Sequence, residues 1–496
     1  MRALEGLSPE KVMFYFEEIS SIPRDSLKER ELAAYLQQFA ENRHLECIRD
    51  RMNNVLIKKP ASEGYETCSP LILQAHMDMV CVKEPGSSHD FTSDGLDLYV
   101  EDGRIMARET TLGADDGIGV AYGLAVLDSD DLKHPPLEVV FTAAEEIGMV
   151  GAQHFDMNSL SGKYMINFDA GGFTEGRIYV GCAGNLKITM TQKLTYVPAK
   201  GEVSYRIRLS GLKGGHAGGE IAKGRGNASV LLGRLLLKLS RYTEVEICHV
   251  QSGDEISANK HGIPDQFTAE ITAASSVNIE KIVAEFYEEI RPELERTDED
   301  IALSYETLDC SRIRAIDRKC AADIAEALLL LPNGVFSMHK YFTDTPECSN
   351  NIGNLEIDGE TDTLVYYISV RSSKVSLMNF LSEKIHCVAR LKGFQISAGT
   401  PLPGWEFEPN AALKKLIEDE YLQTYGEKPR FKITHASTEC GLFKRELADL
   451  EIISMGPIIY EEHTVNEYMG IDSVAELWKF LCRVLEKCKD LPERGQ

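Results

Sequence analysis

Three short stretches of the chain are apolar on both faces of an extended backbone: Leu71-Ile72-Leu73-Gln74-Ala75, Leu137–Thr142 and Tyr164–Phe168. A strand of that kind has to be covered on both sides, which predicts a sheet lying between helices. The segments around the strands agree. Residues 9–20 and 26–43 carry apolar stripes at helical spacing. Ser8-Pro9-Glu10 reads as an N-cap followed by proline at the first helical position. Residues 116–128 form a helix rich in small side chains, and a shorter helix falls near 148–155. Asn54–Lys58 adds a strand. Leu98–Glu101, Asp102-Gly103 and Arg104–Ala107 read as a hairpin, because Asp-Gly suits a type I′ turn. The expected class is α/β, with a mixed sheet between helices.

The pattern changes after residue 184. Val203, Tyr205, Ile207 and Leu209 alternate with polar residues, as in a half-exposed strand. A helix at 227–241, strands near 245–251 and 267–273, a helix at 279–293 and a strand at 301–306 give a β-α-β-β-α-β order. A helix at 314–331, two strands and a helix at 375–391 repeat part of it. This predicts an inserted α+β domain, ferredoxin-like but enlarged, with helices on one face of an antiparallel sheet. At 394–400 the chain is expected to rejoin the first domain, where helix 410–425 and strand Glu451–Met455 finish the first sheet. The division is then 1–184 with 398–496, and 185–397 as the insert. A length of 496 residues, too long for one ordinary core, suits two domains or more.

Charge and cysteine usage narrow the function classes. Asp and Glu number 78 against 53 Lys and Arg, a formal charge of -25. No basic face is available for nucleic acid, and an acidic membrane surface is disfavoured by the same argument. The 12 cysteines are scattered and contain no C-x-x-C, which points to reduced thiols in the cytoplasm rather than a disulfide scaffold or zinc ribbon. The first 20 residues lack a signal pattern, and no apolar run approaches the roughly 18 residues of a membrane helix. The expectation is a soluble cytoplasmic protein.

Ligands of open α/β sheets bind beyond the carboxyl ends of strands. Here those ends carry metal-competent residues. Strand 71–75 runs into His76-Met77-Asp78, strand 137–142 into Glu145-Glu146, strand 164–168 into Asp169, and strand 451–455 is followed by His463. Asp115-Asp116 stands between the hairpin and a helix. Each element alone is commonplace: Glu-Glu is usually a solvated pair, Asp-Asp-Gly a turn or cap, a loop histidine merely exposed. Gly117, Gly119 and Gly123 do not match a phosphate-loop spacing, so helix packing explains them better. The joint placement carries the signal. His76 and Asp78 can face one site, as ligand and orienting carboxylate. The histidines and carboxylates suit Zn²⁺ or a similar ion, and their number suggests two metals sharing a carboxylate and a water. In Glu145-Glu146, one carboxylate can bind metal while its neighbour remains a general base.

LILQAHMDMV (71–80), TTLGADDGIG (110–119), FTAAEEIGMVGA (141–152) and NFDAG (167–171) resemble the aminoacylase/carboxypeptidase G type of dinuclear zinc metallopeptidases. The length, the large insert and HASTECGLF (435–443) are more similar to that family's Xaa-His dipeptidase branch. The resemblance spans essentially the whole chain. It implies a zinc-peptidase-like catalytic domain with an inserted lid domain. It implies that His76 and Asp169 bind the first metal, Glu146 and His463 the second, and that Asp115 bridges both. Asp78 would orient His76, Glu145 would be the general base, and a cis peptide would join Asp115 to Asp116.

In the insert, Gly214-Gly215-His216-Ala217-Gly218 can be a flexible loop with an ordinary histidine, and Arg371 at the end of strand 363–370 a surface ion pair. The resemblance implies instead that His216 stabilises the oxyanion and Arg371 takes the substrate's terminal carboxylate. Asn259 and Glu439 are candidates for the cleft lining, Glu439 equally for a structural hydrogen-bond partner. The implied reaction is dipeptide hydrolysis, Xaa-His and β-Ala-His included, by a bridging hydroxide with Glu145 as base. Zinc is the expected metal, with cobalt and manganese compatible. Alternatives are a broad dipeptidase, tripeptidase or aminoacylase of the same fold, or a non-catalytic metal-binding relative. The expected partner is a small peptide, and the enlarged insert suits either a homodimer or one chain supplying its own lid.

Overall fold

The computed structural model describes residues 2–254, 259–309 and 314–492. The chain divides into two compact units: Met1–Cys182 with Trp405–Ile433 and Thr438–Gln496, and Ala183–Gly404 with Thr434–Ser437.

The first unit is built on an eight-stranded sheet in the order Glu46–Arg49, Val55–Lys59, Leu137–Thr142, Leu71–His76, Tyr164–Asn167, Glu451–Ser454, Arg177–Cys182, Arg430–Thr434. Leu71–His76 runs parallel to both of its neighbours, and Glu451–Ser454 runs parallel to Tyr164–Asn167. The outer pairings are antiparallel, so the sheet is mixed. Every residue of Leu71–His76 and Leu137–Thr142 is buried, as their unbroken apolar character requires. Helix Ala114–Leu127 makes the crossover between those two strands and is itself buried nearly all round. It packs closely because of Gly123: a Cβ there would lie 2.9 Å from the Phe141 ring. Packing therefore accounts for that glycine. Helix Glu10–Ser20 starts one residue later than expected, with Pro9 at the cap and no side-chain cap bond.

A second, four-stranded sheet of this unit joins the hairpin Leu98–Glu101 and Arg104–Ala107 to Tyr468–Gly470 and Ile459–Tyr460. Asp102 and Gly103 both have positive φ, the left-handed pair that a type I′ turn needs. The two late strands, each very short, went unread in the sequence. They carry the connection on which His463 sits.

The second unit contains a nine-stranded antiparallel sheet. Its main path runs Ala302–Thr307, Val203–Ser210, Phe267–Ala273, Val245–Ser252, Pro346–Asp358, Thr363–Ser372, Gly184–Lys193, Gln395–Ala398, and Gly334–Met338 pairs with Pro346–Asp358. Alternate residues such as Ile188, Ile207, Ile271 and Ile368 form one core with Leu232, Leu235, Ile282, Phe286, Leu328 and Leu381 of four helices. Burying each such side chain contributes about 1.5–3 kcal/mol.

Two sequence expectations are corrected in this unit. The predicted helix 314–331 begins as a strand, Arg314–Ile316, paired with Tyr196–Pro198. The helix starts only at Arg318, after Asp317 caps the Lys319 N–H. The chain also does not leave this unit at 394–400. Gln395–Ala398 pairs with Gly184–Lys193, which satisfies a sheet edge that would otherwise be open. The units accordingly divide at 182/183 and 404/405 instead of 184/185 and 397/398, and 434–437 also falls in the second. Among the described residues, no helix is long and apolar enough to cross a membrane.

Candidate metal centre and active site

The parallel strands of the first unit deliver their final residues to one edge of the sheet. His76 closes its strand and is buried. Its Nδ1 lies 3.1 Å from the Asp78 carbonyl oxygen and 3.6 Å from the Asp78 carboxylate. Nε2 is turned toward Asp115, whose Oδ1 is 3.2 Å away. Asp78 does more than flank the imidazole. Its carboxylate accepts from the backbone N–H groups of Glu145 (2.9 Å) and Glu146 (3.2 Å) and from the Ser26 hydroxyl (2.7 Å). One buried carboxylate thus ties the end of the His76 strand to the turn that carries the paired glutamates.

The Asp115 turn is held from outside its own motif. Gly113 has a positive φ, a conformation that favours glycine, and a cis peptide bond joins Asp115 to Asp116. Glu467 accepts from the N–H groups of Leu112 (2.9 Å), Gly113 (3.0 Å) and Ala114 (2.8 Å). Buried Arg24 donates to the carbonyls of Gly113 (2.6 Å) and Met77 (3.1 Å). Asp116 turns back to accept from the His76 N–H at 3.2 Å. On the glutamate turn, Glu29 accepts from Ala144 at 2.8 Å and Asn54 from Ala143 at 2.9 Å. Sequence reading missed Arg24, Glu29, Asn54 and Glu467, whose spacing does not set them apart from ordinary exposed polar residues.

His463, in the connection between the two short strands, also has a positive φ. Its Nε2 lies 3.0 Å from Glu146 Oε1 and 3.4 Å from Asp115 Oδ2. His76, Asp115 and Glu146 each offer a ligand atom, all within 4.8 Å of one another. Burial opposes the charged form of His76, but Asp115 and Asp78 hold it well above the usual imidazole range. Asp115 and Glu146 push His463 up to about 10. Burial alone would raise the Asp115 carboxyl, yet His463 and His76 together keep it low. Asp169, at the next strand end, is pushed up first by burial and then by the Asp115 charge. Burial also raises Glu145 and Asp116. Carboxylates outnumber imidazoles here, and burial with their crowding pushes Asp116, Glu145 and Asp169 toward the neutral form; a divalent cation at this point would favour the ionised carboxylates and the neutral imidazoles. The mixed N/O donors at these separations fit zinc or a similar ion.

Glu439 is fully buried in the same unit, with Oε2 bonded to Gln74 and Thr142 at 2.6 Å each. Of its two expected placements, this is the structural one. The polar Gln74 inside an otherwise apolar strand was the signal that could have found this partnership.

The second unit brings His216 and Arg371 together: Arg371 Nη2 is 3.3 Å from His216 Nε2. His216 also accepts from the Gly219 N–H at Nδ1 (3.1 Å), and its backbone N–H donates to Glu220 (2.9 Å). Arg371 is only 7% exposed, and Nη1 reaches the Ser437 hydroxyl at 3.5 Å. Its Nε is buried without a partner, and no described carboxylate pairs with it. Burial lowers the guanidinium to about 10. Burial, then Arg371, keeps His216 below its usual range and His435 at about 3. Asn259 lies beside the His216 loop: its carbonyl accepts from Gly262 at 3.2 Å, and Ile263 donates to Gly215 at 2.8 Å. Residues 255–258 before it lie outside the described residues.

The model of Peptidase family M20/M25/M40 matches residues 72–487. The chain belongs to that family and is a hydrolase of peptide bonds. It is 35% identical to the cytosol non-specific dipeptidase of Escherichia coli (strain K12), over 100% of both chains. Its structure is similar to the crystal structure of aminoacylhistidine dipeptidase from Vibrio alginolyticus, with a TM-score of 0.88, 32% identity and 99% of each chain covered. Aminopeptidase PepT from Bacillus cereus shares the fold, at a TM-score of 0.60, 16% identity, and 97% and 99% of the chains covered.

Proposed function

We propose that this hydrolase is a dipeptidase that works with two divalent ions, zinc first, with cobalt or manganese able to replace it. His76 and Asp169 would hold one ion, Glu146 and His463 the other, and Asp115 both. When bound, the ions lower the pKa of a shared water and polarise the scissile carbonyl. Glu145 takes the proton of the attacking water and delivers it to the leaving amine. Asp78 supports this role by holding the Glu145 and Glu146 N–H groups. His216 would donate to the developing oxyanion.

The preference for short peptides is carried by Arg371: a buried cation with only neutral partners and an unpaired Nε. Such a guanidinium fits a terminal carboxylate, bound bidentately. The likeness to the Vibrio enzyme supports Xaa-His dipeptides, β-Ala-His included, as substrates. A cytoplasmic setting is supported by the name of the E. coli relative and by the free thiols of all eleven described cysteines. The partner is a small peptide; a net charge of -25 speaks against nucleic acid.

The test compares a dipeptide with its C-terminal amide. The free acid is expected to be favoured by about 2 kcal/mol or more in kcat/KM, and Arg371→Ala to erase that preference. Equal rates on acid and amide in the wild type would remove Arg371 from recognition, and the dipeptide reading with it.

A further inference from the structure

Beneath the metal-competent residues of the first unit runs a line of buried polar side chains that none of the steps above uses. The Ser454 hydroxyl donates to Asn167 Oδ1. Asn167 Nδ2 donates to Gln74 Oε1 at 2.6 Å. Gln74 Nε2 and the Thr142 hydroxyl both donate to Glu439 Oε2 at 2.6 Å. All five residues are buried. The four donors come from the four strands of the parallel centre: Glu451–Ser454, Tyr164–Asn167, Leu71–His76 and Leu137–Thr142. Three of those strands run straight on into Asp169, His76 and the Glu145-Glu146 turn.

The direction of this line follows from chemistry. A carboxylate oxygen without a proton only accepts. Gln74 must then offer its NH2 to Glu439, which leaves its carbonyl for Asn167. Asn167 must in turn offer its NH2 to Gln74 and its carbonyl to Ser454. Without an acceptor-only end, either amide can turn over, and a reversed amide in a buried site leaves groups unpaired. Glu439 Oε1 is buried with no partner. Burial lifts the carboxyl to about 7. A proton, when bound, belongs on the partnerless Oε1, so Oε2 remains an acceptor in either state.

We infer that Glu439 is a positioning residue for hydrolysis: the acceptor-only end of a directional hydrogen-bond line that fixes the strand ends bearing His76, Glu145, Glu146 and Asp169. The inference rests on the metal-site reading above. Glu439 acts through its bonds to Gln74 and Thr142.

The test titrates zinc into metal-depleted protein by calorimetry and measures kcat and KM on Gly-His, with the melting temperature of each variant as the folding control. Gln74→Glu sets two carboxyl groups against each other. It is expected to lower zinc affinity and kcat by about 10–100-fold with little change in KM, and Glu439→Ala to do the same. The swap Gln74→Glu with Glu439→Gln should restore both. The amide nitrogen at position 439 then stands where Oε2 stood and donates to the new carboxylate at 74, which still accepts from Asn167; the Thr142 hydroxyl, 3.1 Å from the position 74 head group, donates to that carboxylate instead. Because the swap keeps side-chain volume, it decides the matter even if Glu439→Ala does not fold. A swap no better than Gln74→Glu alone overturns the inference, as does Glu439→Ala with wild-type affinity and kcat. A wild type that takes up no zinc overturns the metal-site reading, and this inference with it.

Discussion

Glu145 and Glu146 are neighbours in sequence with different surroundings. Glu146 lies against His463 at 3.0 Å, whereas burial and nearby carboxylates raise Glu145. In the proposed mechanism Glu146 holds metal and Glu145 transfers the proton. Glu145→Gln should therefore bind zinc like the wild type while kcat falls about 10²–10⁴-fold. Unchanged turnover in that variant would remove Glu145 from the mechanism. The imidazoles give a second prediction. Both His76 and His463 are raised, His463 to about 10, so at neutral pH the metal-free protein holds protons where a metal needs neutral nitrogen. Metal uptake should release protons, and affinity should rise with pH through the alkaline range and fall as pH drops. Calorimetry in buffers of different ionisation enthalpy measures that release, and zinc uptake at neutral pH without it would contradict the prediction. At this scale the sequence showed the residues that end apolar strands. It did not show Arg24, Glu29 or Glu467, whose contacts come from remote parts of the chain.

Among the elements, the Asp115 turn depends on a single side chain from near the end of the sequence. Glu467 takes three backbone N–H groups of residues 112–114. Glu467→Ala leaves those donors buried and unpaired, at a cost of about 3 kcal/mol or more. The urea midpoint of the first unit should fall, and zinc affinity with it; an unchanged midpoint would show that the turn stands without Glu467. Elements with unbroken apolar character or clear alternation, such as Leu71–His76 and Val203–Ser210, were legible. Ile459–Tyr460, Tyr468–Gly470 and Gln395–Ala398 were not. They are too short for a period to show, and they exist because an edge elsewhere in the sheet accepts them.

For the whole molecule, the change from doubly buried strands to alternating ones after residue 184 marked the division into two units. Its boundaries shifted because Gln395–Ala398 pairs within the second unit and because 434–437 belongs there too. That short segment contributes His435 and Ser437, which bond Ser349 and Arg371. No local pattern announces such a placement.

As proposed, this member of its family is a metal-dependent dipeptidase. The most direct measurement is hydrolysis of a dipeptide panel, with β-Ala-His and Gly-His included, by metal-depleted protein before and after zinc, cobalt or manganese is restored. No cleavage is expected without metal, and restored cleavage should favour a C-terminal histidine. No cleavage of any dipeptide by protein shown to hold two metal ions would contradict the proposed function.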